Sequence, residues 1–522
     1  MQDGYLIGLD FGTESARGVL IDVASGEIEG SHTFGYRHGV MTEALPDGTK
    51  LPPSWALQHA PDYTEAAADI LRVLGSGKTV RAIGLGFTAS SPLPARADGT
   101  PLSTLYPGSP HAYVKLWKHQ AAQPWADRMN ATSGSRFESF GGKISSEWLL
   151  PKAAQLAQEA PELWRETERF IESGDWLAWQ LTGVETRSIS FAAYKAQYLP
   201  DSGYPAEFVP DLPDKLLAPS AIGTSAGALS AQWRERAGIG GDAIVAMPII
   251  DSHVVMPAVG AVRPGTLVGA LGTSAVYLLL DDRSRPFPVG LEGVAADAVI
   301  PGLWCYEAGQ AAFGDTLAWF VRRFADGEPT SASFERYNAG AALLQPGANR
   351  LIALDWWNGC RVPFGDANLS GLMLGVALET TAVHIYRALL ESLCYGARNI
   401  IEHLCAGDAP IDRVILTSGL SLKNELLMQL MADVLGRTIE VPQLMHATAL
   451  GAAIHGAVAA GVVSTYDEGT QRFGATSLKT YAPNAGAVAI YDKLFRQYQS
   501  IGSNVAVREA MHAVRAVLNE AR

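Results

Sequence analysis

The residues most capable of chemistry cluster near the start of the chain, in Tyr5 to Asp22, read YLIGLDFGTESARGVLID. A carboxylate, Asp10, stands just before a glycine-bearing turn with Gly12 and Thr13, and a guanidinium, Arg17, follows it. Backbone N–H groups of such a turn can line up on phosphate oxygens, and a carboxylate beside them can hold Mg2+, usually through water. Arg17 could reach a terminal phosphate and stabilise a transferring group, although a strand-edge surface arginine would look the same. Half a chain later Thr266 to Asp281, TLVGALGTSAVYLLLD, repeats the pattern with Gly272 and Thr273, but Ala270 and Leu271 precede that turn and no acid does. Asp251 follows a buried apolar run and could accept the proton of an attacking hydroxyl; its other reading is a helix N-cap. Glu307, beside Gly309, could hydrogen-bond a polyol or lie on the surface, and Lys195 among apolar residues could merely snorkel.

The elements that must position these groups follow from the hydrophobic pattern. Leu6–Leu9 and Val19–Ile21 have the length and branching of buried strands around a tight turn, which predicts a hairpin. A second such hairpin at 266–281 predicts a duplicated domain, divided near Val262 to Pro264 into residues 1–262 and 263–522. A nucleotide held by both copies would need two phosphate loops but one metal anchor; two unrelated hairpins are the plainer alternative. Strands are expected at 80–87, 244–250, 413–416 and 439–441. Helices are expected at 61–74, 146–159, around 170–181, and at 310–324, 379–404 and 424–435. A small-residue helix is expected at 447–460, with a largely helical tail of roughly sixty residues after it.

Two motifs mislead. Gly75-Ser-Gly-Lys78-Thr79 ends like a phosphate-binding P-loop, but Arg72 stands where that motif needs glycine, and the order is helix, loop, strand. Gly84-Leu-Gly86-Phe-Thr-Ala89 matches a dinucleotide fingerprint by letter, yet Pro92 and Pro94 disfavour the helix it requires. With 522 residues, 48% hydrophobic and 18% charged, the chain reads as an ordinary globular protein with more than one core. A net charge of -13 disfavours a nucleic-acid surface. The opening Met-Gln-Asp-Gly has no signal-peptide character and no run is long and apolar enough for a membrane span. Cys305, Cys360, Cys394 and Cys405 lack metal-ligand spacing and suit reduced thiols, which with the missing signal predicts a cytoplasmic protein.

Taken together, Asp10-Phe-Gly12-Thr13 with Arg17, Val114-Lys115-Leu-Trp117-Lys118-His119, Gly141-Gly-Lys143-Ile-Ser-Ser-Glu147-Trp148, Ala193-Tyr194-Lys195, Asp251-Ser-His253, Gly272-Thr273, Glu307-Ala-Gly309-Gln310 and Gly419 with Asn424, Gln429 and Ala432-Asp433 resemble the FGGY carbohydrate kinases. The resemblance runs from Tyr5 to about Gly461. It implies an α/β fold of two duplicated actin-like (ribonuclease H-like) ATPase domains with a central cleft, sugar and magnesium on the N-terminal side and nucleotide on the C-terminal side. The implied reaction is ATP-dependent phosphorylation of the terminal hydroxyl of a ketopentose, L-ribulose to L-ribulose 5-phosphate, as in L-arabinose catabolism. Asp251 would be the base, assisted by Arg17, and Asp10 the Mg2+ anchor. Ala89, Lys195, Asp251 and Glu307 match the family's sugar contacts, and Gly12, Thr13, Gly272, Thr273, Gln310, Gly419 and Asn424 fall to ATP. A homodimer is compatible with this reading. Gly86 stands where relatives acting on this sugar commonly carry an acid, and Ser90-Ser91 where a bulkier or thiol side chain is usual. D-ribulose or xylulose is therefore the nearest rival acceptor, and an actin-like ATP-driven switch with no sugar is the rival of a different class.

Overall fold

The computed structural model describes residues 3–132, 134–285, 290–325, 327–406 and 408–520, so Met1 and Gln2 of the opening segment lie outside the described residues. The chain forms two compact units. The first joins Met1–Val262 with Val294–Cys305 and His446–Ala475, and the second takes Arg263–Gly293, Tyr306–Met445 and Thr476–Arg522. Among the described residues no helix is long and apolar enough to cross a membrane.

The first unit is built on β1 (Tyr5–Phe11), β2 (Ser15–Asp22), β3 (Ile28–Gly35), β4 (Val80–Phe87), β5 (Ser225–Ala228), β6 (Ile244–Ala246) and β7 (Ile249–Ile250). They form one seven-stranded sheet in the order β3, β2, β1, β4, β6, β5, with β7 also paired to β4. β1 is antiparallel to β2 and parallel to β4. β6 is parallel to β4 and antiparallel to β5. A second sheet contains β8 (Thr266–Leu271), β9 (Ala275–Asp281), β10 (Gly293–Ala296), β11 (Trp304–Gln310), β12 (Arg413–Thr417), β13 (Ile439–Pro442) and β14 (Leu478–Tyr481). Its order is β10, β11, β9, β8, β12, β13, β14, and from β11 onward it repeats the first, with β10 added at the edge. β8 is antiparallel to β9 and parallel to β12, β13 is parallel to β12, and β14 is antiparallel to β13. The shared order and strand directions make the two sheets copies of one design, as the twin hairpins lead one to expect.

The helices α1 (Ala60–Gly75), α2 (Leu149–Glu159), α3 (Ser173–Thr182), α4 (Ile189–Lys195), α5 (Asp251–Val254), α6 (Gly314–Phe320), α7 (Ala382–Cys405), α8 (Glu425–Leu435) and α9 (Ala447–Ala459) carry or support the residues discussed below. Several expectations shift. The segment expected as a helix around 170–181 begins as a strand, Arg169–Glu172, because it pairs with Pro92–Ala95 before α3 starts. The expected strand at 244–250 is broken at Met247-Pro248, where the proline has no N–H for the ladder. Gln310 ends β11 instead of starting a helix, and the tail holds β14 as well as helices.

The small-residue helix α9 returns to the first unit, and glycines explain how. A Cβ on Gly84 would sit 1.7 Å from the Ala452 carbonyl oxygen, and one on Gly8 would sit 1.8 Å from that of Ala449. On the helix side, a Cβ on Gly451 would lie 1.9 Å from the Val254 oxygen. Backbone therefore lies directly on backbone, which only Gly and Ala sequences permit. Gly84 of the supposed dinucleotide fingerprint is there for this contact.

Two histidines in this unit are buried as neutral rings. His455 on α9 is 2.7 Å through Nδ1 from the Tyr466 hydroxyl, and His119 accepts the Ala56 N–H at Nδ1 and faces Gln155 Oε1 through Nε2 at 2.9 Å. Burial pushes His455 down to about 3 and His119 to about 2, the latter helped by Lys115 and Lys152. Below about pH 6.5 the unfolded chain binds protons that these rings refuse, so each lowers stability by about 1.4 kcal/mol per pH unit as the solution is acidified. Urea midpoints should be flat in this respect above pH 6.5 and fall between pH 6.5 and 4.5. His455→Asn should give a shallower fall, and an unchanged slope would contradict a buried neutral His455.

Candidate active site

In the first unit the site begins with strand register. Asp10 pairs with Arg17 across the hairpin and with Gly86 on β4. Gly86 in turn pairs with Ile249, and Phe87 with Ile250. Three strand ends thus finish in one row, and Asp251 opens α5 one residue beyond it. This is the carboxyl edge of the parallel strands, where α/β sheets bind ligands. Helix α5 has Ile250 at its capping position with no side-chain cap, and the Asp251 carboxylate accepts the N–H of the next residue, Ser252, at 2.7 Å.

Asp10 is buried, and its carboxyl is raised to about 7, first by burial, then by the charge of Asp251, against a lowering by Arg17. The Arg17 Nη1 lies 3.8 Å from Asp10 Oδ2, but its side chain is half exposed, and such a pair contributes little. Burial and carboxylate repulsion therefore win. Two carboxylates crowded in this way, with only oxygen donors, suit a hard divalent cation.

The adjacent turn is gripped from behind. Gly12 O accepts the Tyr36 hydroxyl at 3.0 Å, and Thr13 O accepts the Gln58 amide at 2.6 Å. Glu14 O accepts the Tyr36 N–H and Ser15 O the Gly12 N–H. Trp117 Nε1 donates to the Thr13 hydroxyl at 3.0 Å, so this tryptophan positions the turn instead of filling a core. With the carbonyls used, the amide N–H groups of Thr13 and Glu14 and the Thr13 hydroxyl proton are the donors the turn can offer an anion.

Beyond β4, the loop Thr88 to Ser91 is held by a buried charge pair that the sequence did not single out. Lys152 Nζ on α2 donates to Ser90 O at 2.6 Å and Leu116 O at 2.8 Å, and the Ser91 N–H donates to Glu172 Oε2 at 2.9 Å. Burial pushes Lys152 down and Glu172 up, and their mutual attraction opposes both shifts. Ser90 is left-handed, with φ 57°, a conformation that costs energy for a residue with a side chain. Ala89 lies buried within this braced loop. Lys195, at the end of α4, is buried with Nζ 5.9 Å from the Trp148 ring centre and also feels the Glu172 charge. Lys152 thus shapes this loop from a distant helix, a role that no spacing rule announces.

In the second unit the turn after β8 repeats the arrangement with one residue fewer. Gly272 N–H donates to Ser274 O at 2.9 Å, and the N–H groups of Phe313 and Gly314 donate to Thr273 O and Gly272 O at 2.8 and 3.0 Å. A Cβ on Gly314 would lie 2.8 Å from Gly272 O, so this approach of α6 requires glycine. Ser418, at φ 138° and ψ 178°, sits in a region nearly reserved for glycine, and its hydroxyl donates to Leu271 O. Next to it a Cβ on Gly419 would meet nothing within 4 Å, so no neighbour in the protein explains that glycine and a ligand could approach it. Asn424 caps α8 through Leu427 N–H at 3.0 Å and donates to Asn338. Gln310 is buried, with its amide on Asp355 Oδ2 at 2.6 Å and its oxygen facing the Tyr277 hydroxyl. Both therefore have structural partners, and Glu307 is buried in β11. The structure brings Asp10, Gly12, Thr13, Arg17, Ala89, Lys195 and Asp251 into the first unit, and Gly272, Thr273, Glu307, Gln310, Gly419 and Asn424 into the second.

Residues 267–460 match the model of the FGGY family of carbohydrate kinases, C-terminal domain. A ribulokinase of Halalkalibacterium halodurans is 39% identical over 96% of this chain and 95% of its own length. The chain belongs to the FGGY family of carbohydrate kinases. A ribulokinase of Geobacillus thermodenitrificans is similar at 38% identity, covering 97% of each chain. Among solved structures, a xylulose kinase from Rhodospirillum rubrum superposes with a TM-score of 0.83 at 20% identity, over 97% of this chain and 100% of that one, which establishes a shared fold. As an FGGY carbohydrate kinase, the chain uses ATP as phosphoryl donor.

Proposed function

We propose that this chain transfers the terminal phosphoryl group of ATP to the terminal hydroxyl of L-ribulose, giving ADP and L-ribulose 5-phosphate. What supports the reaction is the row that carries Asp10, Gly86 and Ile249, with Asp251 one residue past its end, beside a turn whose carbonyls are all engaged. What supports the sugar is the identity with ribulokinases over nearly the whole chain.

In this mechanism the Asp251 carboxylate accepts the proton of the attacking hydroxyl as its oxygen bonds to the terminal phosphorus and the bond to ADP breaks. Lys195, Glu307 and the Ala89 backbone segment orient the sugar. Arg17 offsets charge on the transferring group, while the amides at Thr13 and at Gly272-Thr273 hold phosphate oxygens. Gly419 gives the adenosine close approach, and Gln310 and Asn424 act on the nucleotide through the elements they fix. Mg2+, when held by Asp10, would neutralise phosphate charge. The two runs 1–262 and 263–522 then divide the work into a sugar and metal side and a nucleotide side.

ADP release measured across L-ribulose, D-ribulose, the xyluloses, ribitol and glycerol tests this directly. L-Ribulose should give the highest kcat/KM. Preference for D-ribulose or xylulose would replace the sugar but keep the kinase, and the Gly86 and Ser90-Ser91 departures make that loop the place to look. ADP release indifferent to every acceptor would favour an ATP-driven switch.

A further inference from the structure

Apart from the sites above, one cluster among the described residues has the chemistry of a metal centre. His38, His59 and Asp62 each bring one ligand atom, and these atoms lie within 4.8 Å of one another. His38 Nδ1 is 2.8 Å from Asp62 Oδ1, and the His38 N–H donates to the other carboxylate oxygen at 2.9 Å, which fixes the carboxylate. His59 Nδ1 points at the same Oδ1 from 3.6 Å, beyond hydrogen-bond reach, and is buried with no hydrogen-bond partner. A buried imidazole nitrogen with no protein partner, beside a carboxylate and a second imidazole, is available as a metal ligand. His59 occupies the capping position of α1 and Asp62 its first turn, so the helix brings these two together, and the loop after β3 delivers His38.

We propose that His38, His59 and Asp62 bind one divalent transition-metal ion of the zinc class, with water completing the coordination, and that the ion braces the first phosphate turn. Two imidazoles and a carboxylate suit Zn2+ or Co2+, whereas Mg2+ and Ca2+ prefer all-oxygen sites. The bracing follows from chain proximity. Tyr36, two residues before His38, donates its hydroxyl to Gly12 O, and Gln58, directly before His59, donates to Thr13 O. Tying His38 to His59 ties together the two segments that grip the turn. The histidines are positioning residues; the reacting groups are elsewhere.

The test is titration of the metal-free full-length protein with Co2+ and Zn2+ in excess Mg2+, which occupies oxygen-only sites. One equivalent should bind, Co2+ should give the visible bands of a low-coordinate nitrogen and oxygen site, and Zn2+ should raise the melting temperature. His59→Gln and His38→Gln should each weaken binding tenfold or more and abolish that rise. His32→Gln, which removes a histidine paired to Asp69 at 2.8 Å on the same helix, should change neither. Should one histidine variant fail to fold, the other with the wild-type titration still decides. Absence of stoichiometric binding, equal affinity in wild type and His59→Gln, or an equal loss in His32→Gln would overturn the proposal.

Discussion

Asp251→Asn should leave binding of ATP and sugar within a few-fold and lower turnover by about 10²- to 10⁴-fold, the range lost with a positioned proton acceptor. The amide keeps the size and can still accept the Ser252 N–H now received at 2.7 Å, so α5 keeps its start while basicity disappears. Because the charge of Asp251 also raises Asp10, neutralising it removes a repulsion that a cation would otherwise relieve. The split between kcat and binding separates a base from a merely structural acid. Equilibrium dialysis of sugar and nucleotide, run beside steady-state turnover, gives both numbers. Turnover retained within tenfold would return Asp251 to a role in the local fold.

Gly84→Ala should destabilise the first unit by about 3 kcal/mol or more, at the upper end of what overpacking costs. The added carbon would lie 1.7 Å from the Ala452 oxygen and 2.3 Å from its carbonyl carbon, and a backbone peptide cannot rotate aside. Gly86→Ala meets the Val254 side chain at 2.9 Å but no backbone atom closer than the Leu9 oxygen at 3.6 Å, and should cost clearly less. Urea unfolding of the two variants provides the comparison. Equal midpoints would mean that α9 can lift from β4 without loss, against the contact inferred here.

How much could be seen in the letters differs by element. Both hairpins lay where apolar runs flanked a Gly-Thr turn, since strand, turn and return strand are neighbours in sequence and their pattern is local. The expected helix at 170–181 lost its first turn to a strand because Pro92–Ala95, far away in the chain, pairs with Arg169–Glu172. Asn424 stood at the start of an expected helix, where asparagine is a capping residue, but the letters gave no sign of its bond to Asn338 or of the bond from Gln310 to Asp355. Lys152 and Glu172 were silent for the same reason, as each acts on the 88–91 loop from a different part of the chain.

By itself, the sequence determined a duplicated α/β chain with twin Gly-Thr turns, one of them with an acid, and a likeness to the FGGY carbohydrate kinases. Those features are written in contiguous residues whose alternation and turn chemistry need no distant partner. Only the tertiary structure decided that Asp251 lies one residue past the strand-end row that carries Asp10, that α9 belongs with the first sheet, and that His38 meets His59 and Asp62. Register between non-consecutive strands and the docking of a returning helix depend on packing between residues hundreds of positions apart, and no local pattern carries that.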